Sequence, residues 1–350
     1  MSKSILIRGG RVVDPTQEID EVMDVVVADG KVAALRRGAP AADEVLNAAG
    51  CIVAPGLIDM HVHLREPGHE ETETIETGTA AAVAGGFTAV ACMPNTEPPL
   101  DSDSQIEFVL RQAARTAHAR VYPIGALTKG RAGRELAEIG LMVRAGAVAF
   151  SDDGVGIADS GVCLRAMQYV SMFDALFIQH CQDMSLAGSG CMNAGVTATR
   201  LGLPGMPAMA EEIMLQRDLV LAAQAGVRYH MAHVSTRAAV ATIAQAKRAG
   251  RRVTTEVCPH HLLLTDEVCQ SYDTNFKINP PLRSPADVQA CLDGVRDGTI
   301  DCLVSDHAPH GKQDKEHEFQ DAPFGIIGLE TALALFINCL LYTSPSPRDS

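Results

Sequence analysis

His61 and His63 stand two residues apart in the apolar run GLIDMHVHLREPG (56–68), with Arg65 and Glu66 close behind. In a strand, side chains i and i+2 share a face, so this spacing can aim both imidazoles at one point. Two imidazoles are half a metal site, and further residues of ligand type recur along the chain. Asp152 and Asp153 occur in SDDG, His180 in QHC, His233 in AHVS and Asp306 in SDHAPH. Singly, each has an ordinary structural reading: a carboxylate capping a turn, or an imidazole bonded to a nearby carbonyl. Together, each ending its own apolar segment, they read as a metal centre. Four imidazoles and two carboxylates suit a borderline cation such as zinc. They exceed the three protein ligands of one catalytic zinc, so two zinc ions are expected, with a carboxylate able to bridge them. Hydroxide held between two such cations is a nucleophile at neutral pH.

These donors need elements that bring them together. From Ile52 the chain repeats an apolar segment, a polar loop and a helix-period stretch. The segments are residues 52–64, 87–93, 120–127, 147–153, 176–181, 227–234, 252–259 and 300–309. Helical patterns lie between them, such as 104–119, opened by Asp and Ser capping candidates, and 236–250, closed by Gly250. Near-continuous apolar strands alternating with helices indicate a parallel sheet buried on both faces, and eight repeats predict a closed (β/α)8 TIM-type barrel over 53–340. The barrel places functional side chains where strands end at its C-terminal face. The competing open, doubly wound sheet requires a Gly-rich phosphate turn after its first strand, and the sequence has none. Residues 1–52 read as short strands broken by Gly-Gly and Asp-Gly turns, a small β unit expected to be an incomplete sandwich.

Composition excludes several functions. Lys and Arg total 29 against 43 Asp and Glu, a formal net charge of -14, which disfavours nucleic acid and anionic membranes as partners. Aromatic residues make up 4%, with no Trp, which argues against a base- or sugar-stacking surface. The ten cysteines include no C-x-x-C pair, which favours reduced thiols and a cytoplasmic location. The longest apolar run, beginning at Thr331, is too short to span a bilayer, and the N-terminus carries no signal-like segment.

The motifs DMHVHLREPG, MPNTEP, SDDG, MAHVST, PHHLLLTDE, INPPLR and SDHAPH, the last followed by APFGIIGLET, occur in this order up to about Leu340. In this set the chain resembles the bacterial type I dihydroorotases of the amidohydrolase superfamily. The resemblance implies that His61 and His63 bind one zinc and His180 and His233 the other. Asp153 would bridge or complete the pair, in place of the modified lysine of many relatives; alternation lets only one of Asp152 and Asp153 face the barrel mouth, and Asp153 is favoured. Asp306 would touch the first metal and move the proton as a zinc-bound hydroxide attacks the ring amide. The implied reaction is reversible hydrolysis of dihydroorotate to N-carbamoyl-L-aspartate in pyrimidine synthesis. Arg65, two residues beyond His63, can offer a bidentate fork to the substrate carboxylate. Asn95 and His310 resemble the family's other carboxylate contacts. Asn279, with backbone groups near Pro323 and Gly325, resembles the set that reads the ring's amide edges. A homodimer or a complex with aspartate carbamoyltransferase is implied as assembly.

Two other readings share these features. A hydantoinase- or allantoinase-like cyclic amidase has the same H-x-H pair, but its substrates lack the carboxylate that Arg65 with Asn95 would bind, and strand four has no Lys to modify. An inactive scaffold for aspartate carbamoyltransferase would have lost metal ligands that this chain keeps. Cys258, before PHH, and Gln182, after His180, depart from the family's usual residues. His260 and His261 are additional metal candidates by type but read as wall or outer residues, and the charged stretch 310–325 as a loop over the site or a solvated surface loop. The closing LLYTSPSPRDS reads as an unrelated tail on a truncated frame, with 341–350 non-native, which would leave strands of the N-terminal unit without partners.

Overall fold

The computed structural model describes residues 3–40 and 42–341, so the stretch 342–350, expected to be a foreign tail, lies outside the described residues. The chain divides into two compact units, the first Met1–Leu57 and the second beginning at Ile58.

The first unit is one five-stranded sheet of β1 (Ile5–Asp14), β2 (Ile19–Ala28), β3 (Lys31–Arg36), β4 (Glu44–Asn47) and β5 (Ile52–Val53). The Asp29-Gly30 pair, with φ of 50° and 72°, makes the two-residue turn that joins β2 to β3 antiparallel. β4 and β5 both run parallel to β1. The sandwich expected from the sequence is thus a single sheet among the described residues. Leu6, Val12 and Val25 are buried in it, while Val22, Val32 and Ile52 are exposed.

The framework of the second unit alternates strand and helix, with short helices and a two-stranded sheet of Met192–Asn193 and Gly205–Met206 in its loops. Its elements are β6 (Leu57–Val62), α1 (Ile75–Ala84), β7 (Phe87–Cys92), α2 (Asp103–Thr116), β8 (Arg120–Gly125), α3 (Ile139–Ala145), β9 (Ala149–Phe150) and α4 (Ser160–Ser171). They continue as β10 (Leu176–Gln179), α5 (Met209–Ala225), β11 (Arg228–Met231), α6 (Arg237–Arg248), β12 (Val253–Val257), α7 (Pro285–Arg296), β13 (Cys302–Leu303) and α8 (Ala332–Leu341). The eight strands pair in sequence order, and a parallel bridge between Val62 and His307 joins the last strand's extension to the first. His63 N donates to His307 O at 2.8 Å across this seam, closing the (β/α)8 barrel.

Helix starts follow local chemistry: Thr74 caps α1, Thr236 accepts from Ala239 N at the start of α6, and Ser284 forms a capping box with Asp287 in α7. α2 buries Ile106 and Val109, three apart on one face, each contributing about 1.5–3 kcal/mol of burial free energy. Between β10 and α5 the chain makes an excursion whose buried Cys191, Met192 and Ala198 pack with Ile278, Leu282 and Phe319. That cluster anchors the segment carrying Asn279. Cys51 is exposed and Cys92, Cys163, Cys181, Cys191, Cys258, Cys269 and Cys291 are buried as thiols, and among the described residues no helix is long and apolar enough to cross a membrane.

Candidate metal centre and substrate cavity

The six donors singled out in the sequence converge at the strand ends. Asp153 stands at the middle: its carboxylate oxygens lie 3.5 Å from His61 Nε2, 3.6 Å from His63 Nε2, 3.9 Å from His180 Nδ1 and 3.8 Å from His233 Nε2. Asp306 Oδ1 is 3.4 Å from His61 Nε2 and 3.1 Å from His63 Nε2. All six are buried. His233 and Asp306 adopt φ of 31° and 48°, and Arg65 a φ of 62°. Such backbone costs of order 1–3 kcal/mol per residue and persists where surrounding structure enforces it, typically at functional sites.

A ring of outer partners turns the imidazoles inward. His61 Nδ1 donates to Glu256 Oε1 at 2.5 Å, His63 Nδ1 to Asn95 Oδ1 at 2.7 Å, and His180 Nε2 to Gln182 Oε1 at 2.9 Å. Each bond fixes the orientation of its ring and turns the opposite nitrogen toward Asp153 or Asp306, where its lone pair would be available to a metal. Glu256 also accepts from His230 Nε2 at 3.0 Å and from the backbone N of His233 at 3.2 Å, so one carboxylate orients two donors. Asp59, two residues before His61, accepts from the backbone N of His61 and of Ser305, tying the first strand to the segment that carries Asp306. Burial pushes the Asp59 carboxyl up to about 6, against the pull of those bonds.

The site fits a cation. His61 Nε2 and Asp153 Oδ1 are buried and make no hydrogen bond, a costly arrangement unless something positive binds them. His180 Nδ1 and His233 Nε2 are 2.9 Å apart, a separation at which two lone pairs need a shared proton or cation. Burial opposes ionisation of Asp153 and Asp306, yet the neighbouring imidazoles hold both carboxyls far below the usual carboxylate range. For His61 burial is outweighed by Glu256, Asp306 and Asp153, which raise its pKa well above the usual 6.5. Groups so strongly shifted by one another within one buried cluster are the electrostatic mark of a functional site.

Asp152 and Asp153 separate cleanly. Asp152 turns away and accepts from Leu127 N at 2.8 Å, Thr128 N at 3.1 Å and the Thr128 hydroxyl, which makes it a cap for the preceding loop. Only Asp153 faces the imidazoles.

Beside the donors lies a cavity of about 190 Å³. It is lined by His63, Arg65, Asn95, Asp153, His180, His233, Asn279, Asp306, His310 and Gly325 together with Gly154, Ile278, Ala308, Phe324 and Ile326. Every proposed substrate contact but one therefore lines a single chamber. The exception is Pro323, which does not line it; its carbonyl instead accepts from Lys315 Nζ at 2.9 Å. Gly325, by contrast, must be glycine: its φ is 146°, and a Cβ there would sit 2.4 Å from Ala308 O and 2.9 Å from the His310 ring. Arg65 Nε donates to Pro309 O at 3.0 Å, and its Nη2 lies 3.3 Å from His310 Nε2, which itself donates to Phe324 O at 2.7 Å. Asn279 Nδ2 is 3.2 Å from His180 Nε2.

The charged stretch 310–325 packs on cationic staples. Lys315 Nζ donates to the carbonyls of Thr274, Lys277 and Pro323, and Lys277 Nζ donates to Gln320 O while lying 4.6 Å over the Phe324 ring. Replacing Lys315 with Met strands three carbonyls; the expected loss is about 1.5–3 kcal/mol, read as a lower thermal midpoint.

Sequence reasoning missed Glu256, Asp59, Phe324 and the orienting role of Gln182. A signal for Glu256 was present: it is a carboxylate within the apolar strand Val253–Val257, and a charge there needs a partner. Asp59 shares the face of His61 and His63 by the same two-residue alternation.

A closed eight-stranded barrel with four imidazoles and two carboxylates gathered at its strand ends defines a protein of the amidohydrolase superfamily. The fold matches that of an L-hydantoinase (dihydropyrimidinase) from Arthrobacter aurescens at a TM-score of 0.86, with 25% identity over 99% of this chain and 80% of that one. A dihydropyrimidinase from Brevibacillus agri shares the fold at a TM-score of 0.78 and 23% identity, over 95% of this chain and 76% of that one. The sequence is more selective. A family model described as dihydro-orotase-like matches residues 50–239. The dihydroorotase of Pelotomaculum thermopropionicum is 54% identical over 334 residues, 95% of this chain and 78% of its own length. That of Solibacter usitatus is 50% identical over 339 residues, 96% of this chain and 79% of its own. The chain belongs to the dihydroorotase family.

Proposed function

We propose that the chain is a dihydroorotase that opens and closes the ring amide of dihydroorotate, with two zinc ions held by His61, His63, Asp153, His180, His233 and Asp306. The observation that carries this reading is the cavity that joins five of those donors, all but His61, to Arg65, Asn95 and His310. A carboxylate-bearing cyclic amide presents one group to each side of such a chamber. Zinc held by these residues would supply Lewis acidity and would acidify water.

The chain's own residues do the rest. Arg65, cationic in a half-buried wall, offers its fork to the substrate carboxylate. Because Asn95 Oδ1 accepts from His63, its Nδ2 is left to donate to the same carboxylate. Asp306, held ionised by His61 and His63, takes the proton of the attacking water. As the ring C–N bond breaks, Asp306 passes that proton to the departing nitrogen. Ring closure is the reverse: Asp306 removes the proton from the ureido nitrogen and returns it to the leaving oxygen, releasing water. Asn279 and the backbone at Gly325 are placed to bind the ring's amide edge.

Turnover of dihydroorotate compared with dihydrouracil, which lacks the carboxylate, tests this reading on zinc-loaded protein. Dihydroorotate is expected to be preferred at least a hundredfold in kcat/KM; an equal or reversed preference points to a hydantoinase-like amidase, and no turnover of either to a scaffold. Arg65→Met is expected to cost about 2–5 kcal/mol of dihydroorotate binding, seen as a KM rise, because the substrate carboxylate is left buried without its cation. Its effect on dihydrouracil should be small. Glu256→Gln keeps the shape but removes the charge behind His61. Zinc affinity, measured by chelator competition, is expected to fall about 10–100-fold.

A further inference from the structure

The segment after β12 carries a second group of donors that the six-residue centre does not use. Cys258 is fully buried, and His260 and His261 are 6% and 2% exposed. One donor atom from each of these three residues lies within 4.8 Å of the others. The two rings sit edge to face with centroids 4.5 Å apart.

Two of these donors are stranded. His261 Nε2 donates to Pro280 O at 3.1 Å, which puts the ring's lone pair on Nδ1, and that Nδ1 is buried without a partner. A backbone carbonyl holding one ring nitrogen while the other is bare is the arrangement usual for a metal-binding histidine. His260 Nε2 is likewise buried without a partner. Two clustered imidazoles that each keep a buried nitrogen without a partner, grouped with a buried thiol, are hard to account for as packing alone, since such a nitrogen is desolvated with nothing in return.

We infer that Cys258, His260 and His261 form a separate site for a borderline divalent cation of the zinc class. One sulfur and two imidazole nitrogens match the preference of such ions and leave a fourth position for water. Donors around a tetrahedral zinc stand roughly 3.3–3.6 Å apart, given bonds of about 2.0–2.3 Å, so the cluster closes by about 1 Å through side-chain torsions. Uptake breaks the Cys258 S–H bond, releases that proton to solvent and forms the metal–sulfur bond. The site begins two residues after Glu256, so its occupancy would stiffen the strand end that orients His61 and His233.

Cobalt(II) loading of the full chain tests this independently of turnover, because none of the six donors of the main centre is a sulfur. Wild-type protein is expected to show a near-ultraviolet sulfur-to-cobalt charge-transfer band, and Cys258→Ser to lose that band and one equivalent of bound metal while keeping its far-ultraviolet circular dichroism. Cys51→Ser, which removes the exposed thiol, should leave the band unchanged. Absence of the band in wild type, or its persistence in folded Cys258→Ser, overturns the assignment. Should Cys258→Ser fail to fold, His261→Gln serves instead: loss of the band together with one equivalent of bound metal supports the site, and an unchanged band and metal content in the folded variant rejects it.

Discussion

Asp306→Asn is expected to lower kcat by about 10²–10⁴-fold from loss of proton transfer alone, while the chain remains folded. The substitution is clean on geometric grounds. Asp306 sits at a φ of 48°, a left-handed conformation that Asn tolerates best among non-glycine residues, so the backbone has no reason to move. The amide keeps one oxygen for the 3.1 Å contact with His63 but has no charge with which to accept a proton. Rate constants for both directions should fall together, since the same group carries the proton each way. Circular dichroism and metal content guard against trivial causes. Activity within tenfold of wild type at neutral pH would mean that another group moves the proton.

The second large effect separates two adjacent carboxylates. Asp153→Ala removes the one side chain within 4 Å of all four imidazoles, so bound metal should be lost and activity should drop to the limit of detection. Asp152→Ala removes instead an acceptor of two backbone N–H groups and a hydroxyl, with an expected stability loss of about 3 kcal/mol. Its metal content, measured on the protein that remains folded, should stay near wild type. The pair of measurements is decisive because the predictions cross: one variant loses metal and the other loses thermal stability. If the two outcomes were exchanged, Asp152 rather than Asp153 would belong to the centre.

Much of this was legible in the primary structure because the information is local. The alternation of β-strands makes His61 and His63 neighbours on a face whatever the rest of the chain does, and the period of apolar segments and helices specifies eight strand–helix units. Asp-Gly at 29–30 marks a hairpin for the same reason: the turn's positive φ values select those residues. The donor types at segment ends, and Arg65 beside the H-x-H pair, were readable as candidates for a metal centre with an anion site.

Closure of the barrel decided what local periodicity could not. It brought Glu256 behind His61 from 195 residues away, turned Asp153 rather than Asp152 inward, and made Gln182 the partner that orients His180. It also set Pro323 against Lys315 instead of the cavity, leaving Phe324 and Gly325 to form the wall. Sequence determined which residues could do the chemistry and roughly where along each element they lie, because side-chain direction within a strand depends only on the strand. The tertiary structure alone decided which of them meet, because inter-strand distances and the hydrogen bonds that choose each histidine tautomer exist only after eight separate segments have closed on one another.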